Sequence, residues 1–233
     1  MTEVPRLSCI IPAYNEAPRI GAVLDAALAT PEIDAVIVVE DGSTDATFQV
    51  VEGRAAGHAH LTLLRQTRNR GKTQAVAAGL RKAQGGAIML LDSDLTGLLP
   101  RHLTALADPV LAGRAGASIS LRGSAPKSWR VLGLDYISGE RVMPRALLVD
   151  RLDALDRLPR FGLEVYLNRL WLEAGLDIAV VGWPDIASPM KAQKRGGVLA
   201  GLNADLAMMG DIFQTVTPLA ALAQIRAMRA RRI

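Results

Sequence analysis

Apolar positions along the chain follow two rhythms, and the rhythms alternate. Short runs with little polar interruption read as buried strands: LSCIIP (7–12), DAVIVVE (34–40), LTLLRQ (61–66), AIMLL (87–91), ASISL (117–121) and DIAVVGWP (177–184). Helical spacing takes over between them. Ile20, Val23, Leu24, Ala27 and Leu28 share one helix face, TQAVAAGLRKA is an Ala-rich helix, and another helix begins near Pro100. A helix over about 162–174 carries the stripe Leu163, Tyr166, Leu167, Leu170, Trp171 and Ala174. Repeated strand–helix units with wholly apolar strands predict an α/β fold, a mostly parallel sheet covered by helices on both faces. No internal repeat or low-complexity segment interrupts it.

Ligands of such sheets bind beyond the carboxyl ends of the strands. The polar loops here, AYNEAP, EDGSTD, RNRGK and DSD, all follow strands, so they should share one edge. Asp92 and Asp94 stand at i and i+2 at a strand exit and would point to one side. Two hard oxygen ligands together suit Mg²⁺ or Mn²⁺, above all a metal that also holds phosphates. They equally suit a strand end whose acids face water or cap the next helix. The acids of EDGSTD could accept from a base N–H or a ribose hydroxyl. They could also form a plain junction, with Gly42 in the turn and Ser43, Thr44 or Asp45 capping a helix. Arg68, Arg70 and Lys72 beside Gly71, at a helix start, favour a phosphate, or form a solvated basic loop. Tyr14 could stack on a base or cover the core.

Composition narrows the setting. The chain has 233 residues, half of them apolar and 21% charged, with one cysteine. No disulfide framework can form. MTEVPRLS has no basic n-region followed by an apolar stretch, and no run of about 18 apolar residues occurs, so the expectation is a cytoplasmic protein. The formal charge is +4, and 187–233 alone carries seven Lys or Arg against two acids. The basicity therefore belongs to the tail, which argues against a nucleic-acid partner.

Taken together, IIPAYNE, VVEDGSTDAT, RNRGKTQAVAAG and LLDSD resemble the nucleotide-sugar half of family 2-type glycosyltransferases with the GT-A, Rossmann-like fold. The resemblance is close over about 7–95; Glu40 stands where many relatives carry aspartate. It implies an enzyme, a hexosyltransferase, with a nucleotide-sugar donor, a UDP-sugar in first place. It implies that Pro12, Ala13, Tyr14, Asn15 and Glu16 hold base and ribose, and that Asp41 and Ser43 continue that pocket. Arg70 and Lys72 would approach the nucleotide. Asp92, Ser93 and Asp94 would hold the ribose and a Mg²⁺ or Mn²⁺ ion bridging the diphosphate, with Asp92 and Asp94 as ligands.

Further on, ISGERVMPRALL followed by RFGLEVYLN resembles a subgroup that includes glucosyl-3-phosphoglycerate synthases. That match implies that Ser138, Gly139 and Glu140 line the donor sugar and that Glu164 faces sugar or acceptor. Glu164 also fits an ordinary acid in a first helical turn. The catalytic candidates are Glu164, Glu140 and Asp94. Either glutamate could serve as base in an inverting reaction, whereas the subgroup implies retention. One departure is plain: relatives place a metal-binding histidine after the last strand, and WPDIASPMKAQKRGG has none. Asp94 and the diphosphate could hold the metal alone, Asp185 could substitute, or Lys191 and Lys194 could neutralise phosphate. His58, His60 and His102 lie far from that segment and read as surface residues.

The expected layout is a nucleotide-sugar half (1–97), an acceptor-binding half of the same domain (98–186) and a basic helical tail (187–233). In the tail Ile212, Phe213, Val216, Leu219, Leu222, Ile225 and Met228 recur at roughly helical spacing before an arginine cluster, with Pro218 kinking or starting the helix. Such a helix could lie on an anionic membrane surface, or dock on the domain or on a second subunit as a homodimer contact. The acceptor, a phosphorylated small molecule or a polyprenyl phosphate, would meet the half that carries Arg122, Lys127 and Arg130. Two rivals stand: a nucleotidyltransferase, which would place a Gly-rich basic loop where PAYNEAP lies, and a non-catalytic sugar-nucleotide-binding or membrane-recruited protein.

Overall fold

A computed structural model describes residues 7–158, 162–188 and 216–233. Seven strands form one sheet: β1 (Leu7–Ala13), β2 (Ile33–Glu40), β3 (Leu61–Arg65), β4 (Ala87–Leu90), β5 (Ala117–Arg122), β6 (Arg141–Pro144) and β7 (Ile178–Trp183). Their order is β3-β2-β1-β4-β6-β5-β7. Only β6 runs against its neighbours β4 and β5; the other pairings are parallel. The helices are α1 (Ile20–Leu28), α2 (Thr47–Ala55), α3 (Lys72–Lys82), α4 (Pro100–Leu111), α5 (Lys127–Leu132), α6 (Ala146–Val149), α7 (Leu152–Asp156), α8 (Leu163–Glu173) and α9 (Pro218–Ala230).

Alternation along the strands builds a core on each face. Cys9, Ile11, Val36, Val38 and Met89 pack with α1, α2 and α4. Ile10, Ile37, Val39, Ile88 and Leu90 pack with α3, α8 and α9 on the other side. Every strand expected from the apolar runs is present, within a residue or two at its ends. β6 was not expected. Its residues RVMP begin with a fully buried arginine, Arg141, and end in proline, so no apolar run announces it.

Helix starts decide one open choice and correct one reading. Asp45 serves α2 by accepting the Thr47 N–H at 2.9 Å, while Ser43 and Thr44 turn toward the neighbouring loop. His102 corrects the surface reading of the histidines: it is buried, and its Nδ1 accepts the Leu99 N–H at 3.0 Å at the start of α4. Leu99 is the N-cap, so His102 does what Glu or Gln does at the third position of a capping box. Its ring lies 5.8 Å from that of Trp183. His58 and His60 are half-buried beyond the end of α2, ring against ring.

Pro218 starts α9, with Thr217 Oγ1 accepting the Ala220 N–H at 3.2 Å. Ala221 and Met228 are buried and the helix lies against α8, so the docked arrangement is the one observed. Burying a side chain such as Met228 contributes about 1.5–3 kcal/mol. The chain end returns to the sheet: Ile178 N–H donates to Arg231 O at 2.9 Å and Ile233 N–H to Ile178 O at 3.1 Å. Leu219 and Leu222 of the predicted stripe face outward, 81% and 46% exposed; Ile212 and Phe213 lie outside the described residues. Among the described residues no helix is long and apolar enough to cross a membrane.

Candidate active site

The loops that follow β1, β2 and β3 are tied to one another before they offer anything to a ligand. Asn15 adopts a left-handed φ of 55°. Its backbone N–H donates to Ser43 Oγ at 3.0 Å, and its Oδ1 accepts the Thr44 N–H at 2.8 Å. Glu16 N–H donates to Thr47 Oγ1 at 2.8 Å. Asp41 accepts the N–H groups of Arg70 and Gly71 on its two oxygens, each at 2.8 Å. Burial raises the Asp41 pKa against the pull of those two donors. Gly71 is the N-cap of α3 with φ 93°, a conformation costly for other residues. The geometry that results places Lys72 at the first position of α3, aimed at the end of β4.

A cleft of about 420 Å³ opens above these loops, lined by Pro12, Ala13, Tyr14, Glu16, Asp41, Asn69, Gly71, Lys72, Asp92, Ser93 and Asp94. Tyr14 is 42% exposed at its wall. On the floor Lys72 Nζ donates to Asp92 Oδ1 at 2.6 Å and to Glu164 Oε1 at 2.9 Å. Burial opposes the Lys72 ammonium, but the two carboxylates outweigh it and hold its pKa above the ordinary lysine range. Burial likewise works against the Asp92 carboxylate, and Lys72 and Arg122 overcome it, so its pKa is lowered.

Beneath the floor lies a buried network. Gly139 sits against Asp92 so closely that a Cβ would stand 2.6 Å from Asp92 Cγ. Glu140 has no exposed surface, and its Oε2 accepts from Ser120 Oγ at 2.6 Å and Ser138 Oγ at 2.7 Å. Burial raises its pKa despite Arg122, and Asp92 adds to the rise. Arg122 Nη1 lies 3.4 Å from Glu140 Oε1 and donates to Ser188 Oγ at 2.5 Å; Ser188 Oγ in turn donates to Asp94 Oδ1 at 3.3 Å. Arg122 Nη2 lies 3.7 Å from Asp135, whose carboxyl is buried.

The structure thus brings Pro12, Ala13, Tyr14, Glu16, Asp41, Lys72, Asp92, Ser93 and Asp94 into one cleft. Glu164 joins through Lys72, with its side chain 14% exposed. Asn15 and Ser43 hold loops together, and Ser43 lines a separate hollow with Gly42, Arg65, Gln66 and Thr67. The Arg70 side chain is exposed and directed at Gln74, at 3.5 Å, so its backbone takes part and its guanidinium does not. Ser138, Gly139 and Glu140 lie under the floor. Asp185 is exposed, and its charge acts on His102. Lys191 and Lys194 lie outside the described residues. Asn69 and Ser188 are site neighbours that were not among the candidates; Asn69 lies inside RNRGK and Ser188 just beyond the last strand.

Comparison with known proteins places this geometry in a family. Residues 8–156 match the family model described as Glycosyl transferase family 2. A dolichyl-phosphate beta-glucosyltransferase, ALG5C of Trichomonas vaginalis, is 39% identical over 94 residues, 36% of this chain and 28% of that protein. A prophage bactoprenol glucosyl transferase homolog of Escherichia coli is 32% identical over 123 residues, 48% of this chain and 40% of that one. The chain therefore matches well under half the length of these curated relatives. The crystal structure of glucosyl-3-phosphoglycerate synthase from Mycobacterium tuberculosis with Mn²⁺, UDP-glucose and glycerol 3-phosphate superimposes with a TM-score of 0.67 at 25% identity. That match covers 91% of this chain and 80% of the other.

Proposed function

We propose, because the chain belongs to glycosyl transferase family 2, that it is a hexosyltransferase using a nucleoside diphosphate sugar, a UDP-sugar. The acceptor is a phosphorylated small molecule or a lipid-linked phosphate. The observation that carries this reading is the cleft floor, where Asp92, Asp94 and Lys72 stand together beneath a wall of Pro12, Ala13 and Tyr14. That wall suits a base and ribose, and the floor suits a diphosphate.

A divalent metal fits the donor set. Among the described residues no group of three His, Cys, Asp or Glu could hold one. Mg²⁺ and its like are commonly held by one or two carboxylates, with waters and substrate phosphates completing the shell. Asp94 would hold the metal together with Asp92, and the metal would supply charge neutralisation at the departing diphosphate. Lys72 adds a fixed ammonium beside it. Ser188 orients the Asp94 carboxylate, and Arg122 orients Ser188. Glu140 is too buried to reach an acceptor hydroxyl; in this reading it braces the floor through Ser120, Ser138 and Arg122. Glu164, held by Lys72, faces the transferred sugar. Glu140 is buried and Glu164 is paired with Lys72, so neither is a free base at the cleft surface, which favours retention through stabilisation of the leaving group.

A membrane-bound acceptor gains support from α9, whose outward face joins exposed Leu219 and Leu222 to Arg226 and Arg229 with no acid among its residues. Sedimentation with phosphatidylglycerol vesicles against phosphatidylcholine vesicles separates this contact from self-association through the same face.

The test of the reaction is UDP binding and UDP release from UDP-hexoses with and without Mn²⁺. Asp94→Asn should lower turnover by about 10²-fold, the scale of losing one preorganised charge contact at a reacting centre, and should abolish the dependence of UDP affinity on metal. UDP affinity indifferent to both the substitution and chelation would overturn the site assignment. Metal-dependent UDP binding with no turnover of any UDP-hexose would point to the non-catalytic rival.

A further inference from the structure

Arg141 is the largest charged side chain with no exposed surface in the described protein, and none of the expected site residues accounts for it. It opens β6, one residue after Glu140, and points to the opposite face of the sheet. Its three nitrogens are spent on neutral acceptors: Nε donates to Ser138 O at 2.7 Å, Nη2 to Tyr136 O at 3.0 Å, and Nη1 to Asn168 Oδ1 at 2.5 Å. The guanidinium carbon lies 5.1 Å from the Trp171 ring centre. Among the described residues no carboxylate forms an ion pair with it. Burying an ion this way costs several kcal/mol before its hydrogen bonds are counted. An apolar side chain of similar length would fill the same space without that cost.

The acceptors show what the charge holds. Tyr136 O and Ser138 O belong to the turn that leads into Gly139 and Glu140. Asn168 lies on α8, one helical turn after Glu164, and its Nδ2 also donates to Tyr136 O at 2.9 Å. A single planar fork therefore fastens the 136–140 turn to the helix that carries Glu164. Burial lowers the Arg141 pKa, and among the opposing influences the Glu164 charge is the largest.

We propose that Arg141 is a positioning residue: it holds the sugar-side floor, Ser138 to Glu140, in register with Glu164, without touching the substrate. The proposal rests on the reading of the cleft as a nucleotide-sugar site. Arg141 reaches the metal side of the floor only indirectly: Asp94 is braced by Ser188 and Arg122, and Arg141 is linked to Arg122 through the Ser138–Glu140 turn.

The experiment compares wild type with Arg141→Met and Arg141→Lys. It measures UDP affinity with Mn²⁺ by calorimetry, UDP release at saturation from the UDP-hexose that wild type turns over fastest, and the thermal unfolding midpoint. The expected result is a UDP affinity unchanged within about twofold, with UDP release reduced by about tenfold or more in Arg141→Met, the scale of an ångström-level misplacement. Arg141→Lys, which keeps the charge and loses the fork, should recover part of that loss, and it carries the same readout if Arg141→Met does not fold. A lowered midpoint with unaltered turnover would show a purely structural arginine and overturn the proposal. Equal losses of UDP affinity and turnover would overturn it too, because the defect would then not be confined to the sugar side. A wild type that binds no UDP, or binds it and turns over no UDP-hexose, removes the underlying reading first and the proposal with it.

Discussion

The two sides of the cleft are built differently. On the side of β1, β2 and β3, polar side chains hold loops: Asn15 with Ser43 and Thr44, Thr47 with Glu16, Asp41 with Arg70 and Gly71. Asn15, Ser43, Thr44, Arg70 and Gly71 are half-buried or exposed, so water can reach their bonds, whereas Glu16, Asp41 and Thr47 are buried. On the side of β5 and β6, buried charged side chains hold the floor: Arg122 against Glu140 and Asp135, and Arg141 against two backbone carbonyls and Asn168. There a lost partner leaves a charge with no solvent to turn to. The loop wall is thus an assembly of adjustable segments, and the floor beside β5 and β6 is part of the core.

The largest effect that follows is on Arg122→Leu. Its side chain is 14% exposed and faces buried Glu140 and Asp135. Removing one member of such a group typically costs about 3–5 kcal/mol. Urea unfolding should show a loss of that order, with turnover lost as well because Asp94 loses its brace. A loss below about 1 kcal/mol, the range of a surface ion pair, would break the contrast, since the two sides would then respond alike.

Asp41→Asn sharpens the same contrast from the loop side. The carboxylate accepts two backbone N–H groups, and an amide keeps one acceptor oxygen for them. The expected cost is about 1 kcal/mol, one hydrogen bond partly replaced by water. The larger signature is local: faster amide exchange at Arg70 and Gly71 and weaker UDP binding, with exchange in β6 unaltered. Faster exchange spread through β6 would mean that the loop side is as deeply coupled to the core as the floor is.

The same contrast explains how much the amino-acid pattern disclosed. The four strand-end loops were legible because each follows an uninterrupted apolar run, and Asp92 and Asp94 because their i, i+2 spacing survives at a strand exit. That Asn15 meets Ser43 was not legible. It depends on β1 lying beside β2 in the register Ala13 to Glu40, a fact of pairing and not of either segment. The floor was hidden for another reason. Arg141 is charged, so a pattern reading places it on the surface and β6 vanishes with it; Ser138, Gly139 and Glu140 were named only through the family resemblance. Only the buried network shows that Arg141 and Glu140 lie in the interior. The sheet was therefore readable wherever burial was apolar, and unreadable where burial was ionic.

The smallest effect concerns His102, which joins neither side and shows what an isolated buried titratable group contributes. Its Nδ1 must be unprotonated to accept the Leu99 N–H, and burial, aided by Arg101, lowers its pKa below the ordinary imidazole value. The unfolded chain takes up this proton near pH 6.5, and the folded chain does so only at lower pH. Between those points the unfolded state binds more protons, so stability rises with pH there. The contribution is complete above the unfolded value and is lost as pH falls through it toward the folded one. His102→Gln keeps an acceptor at the third position of α4 and removes the titration. The difference in unfolding free energy between wild type and His102→Gln, followed from pH 7.5 to 5, should shrink wild-type stability by up to about 1 kcal/mol, the typical worth of a helix cap. His58 and His60 are common to both proteins and cancel in that difference. A difference curve flat across this range would mean that His102 titrates alike folded and unfolded, and that the cap it forms does not require the neutral ring.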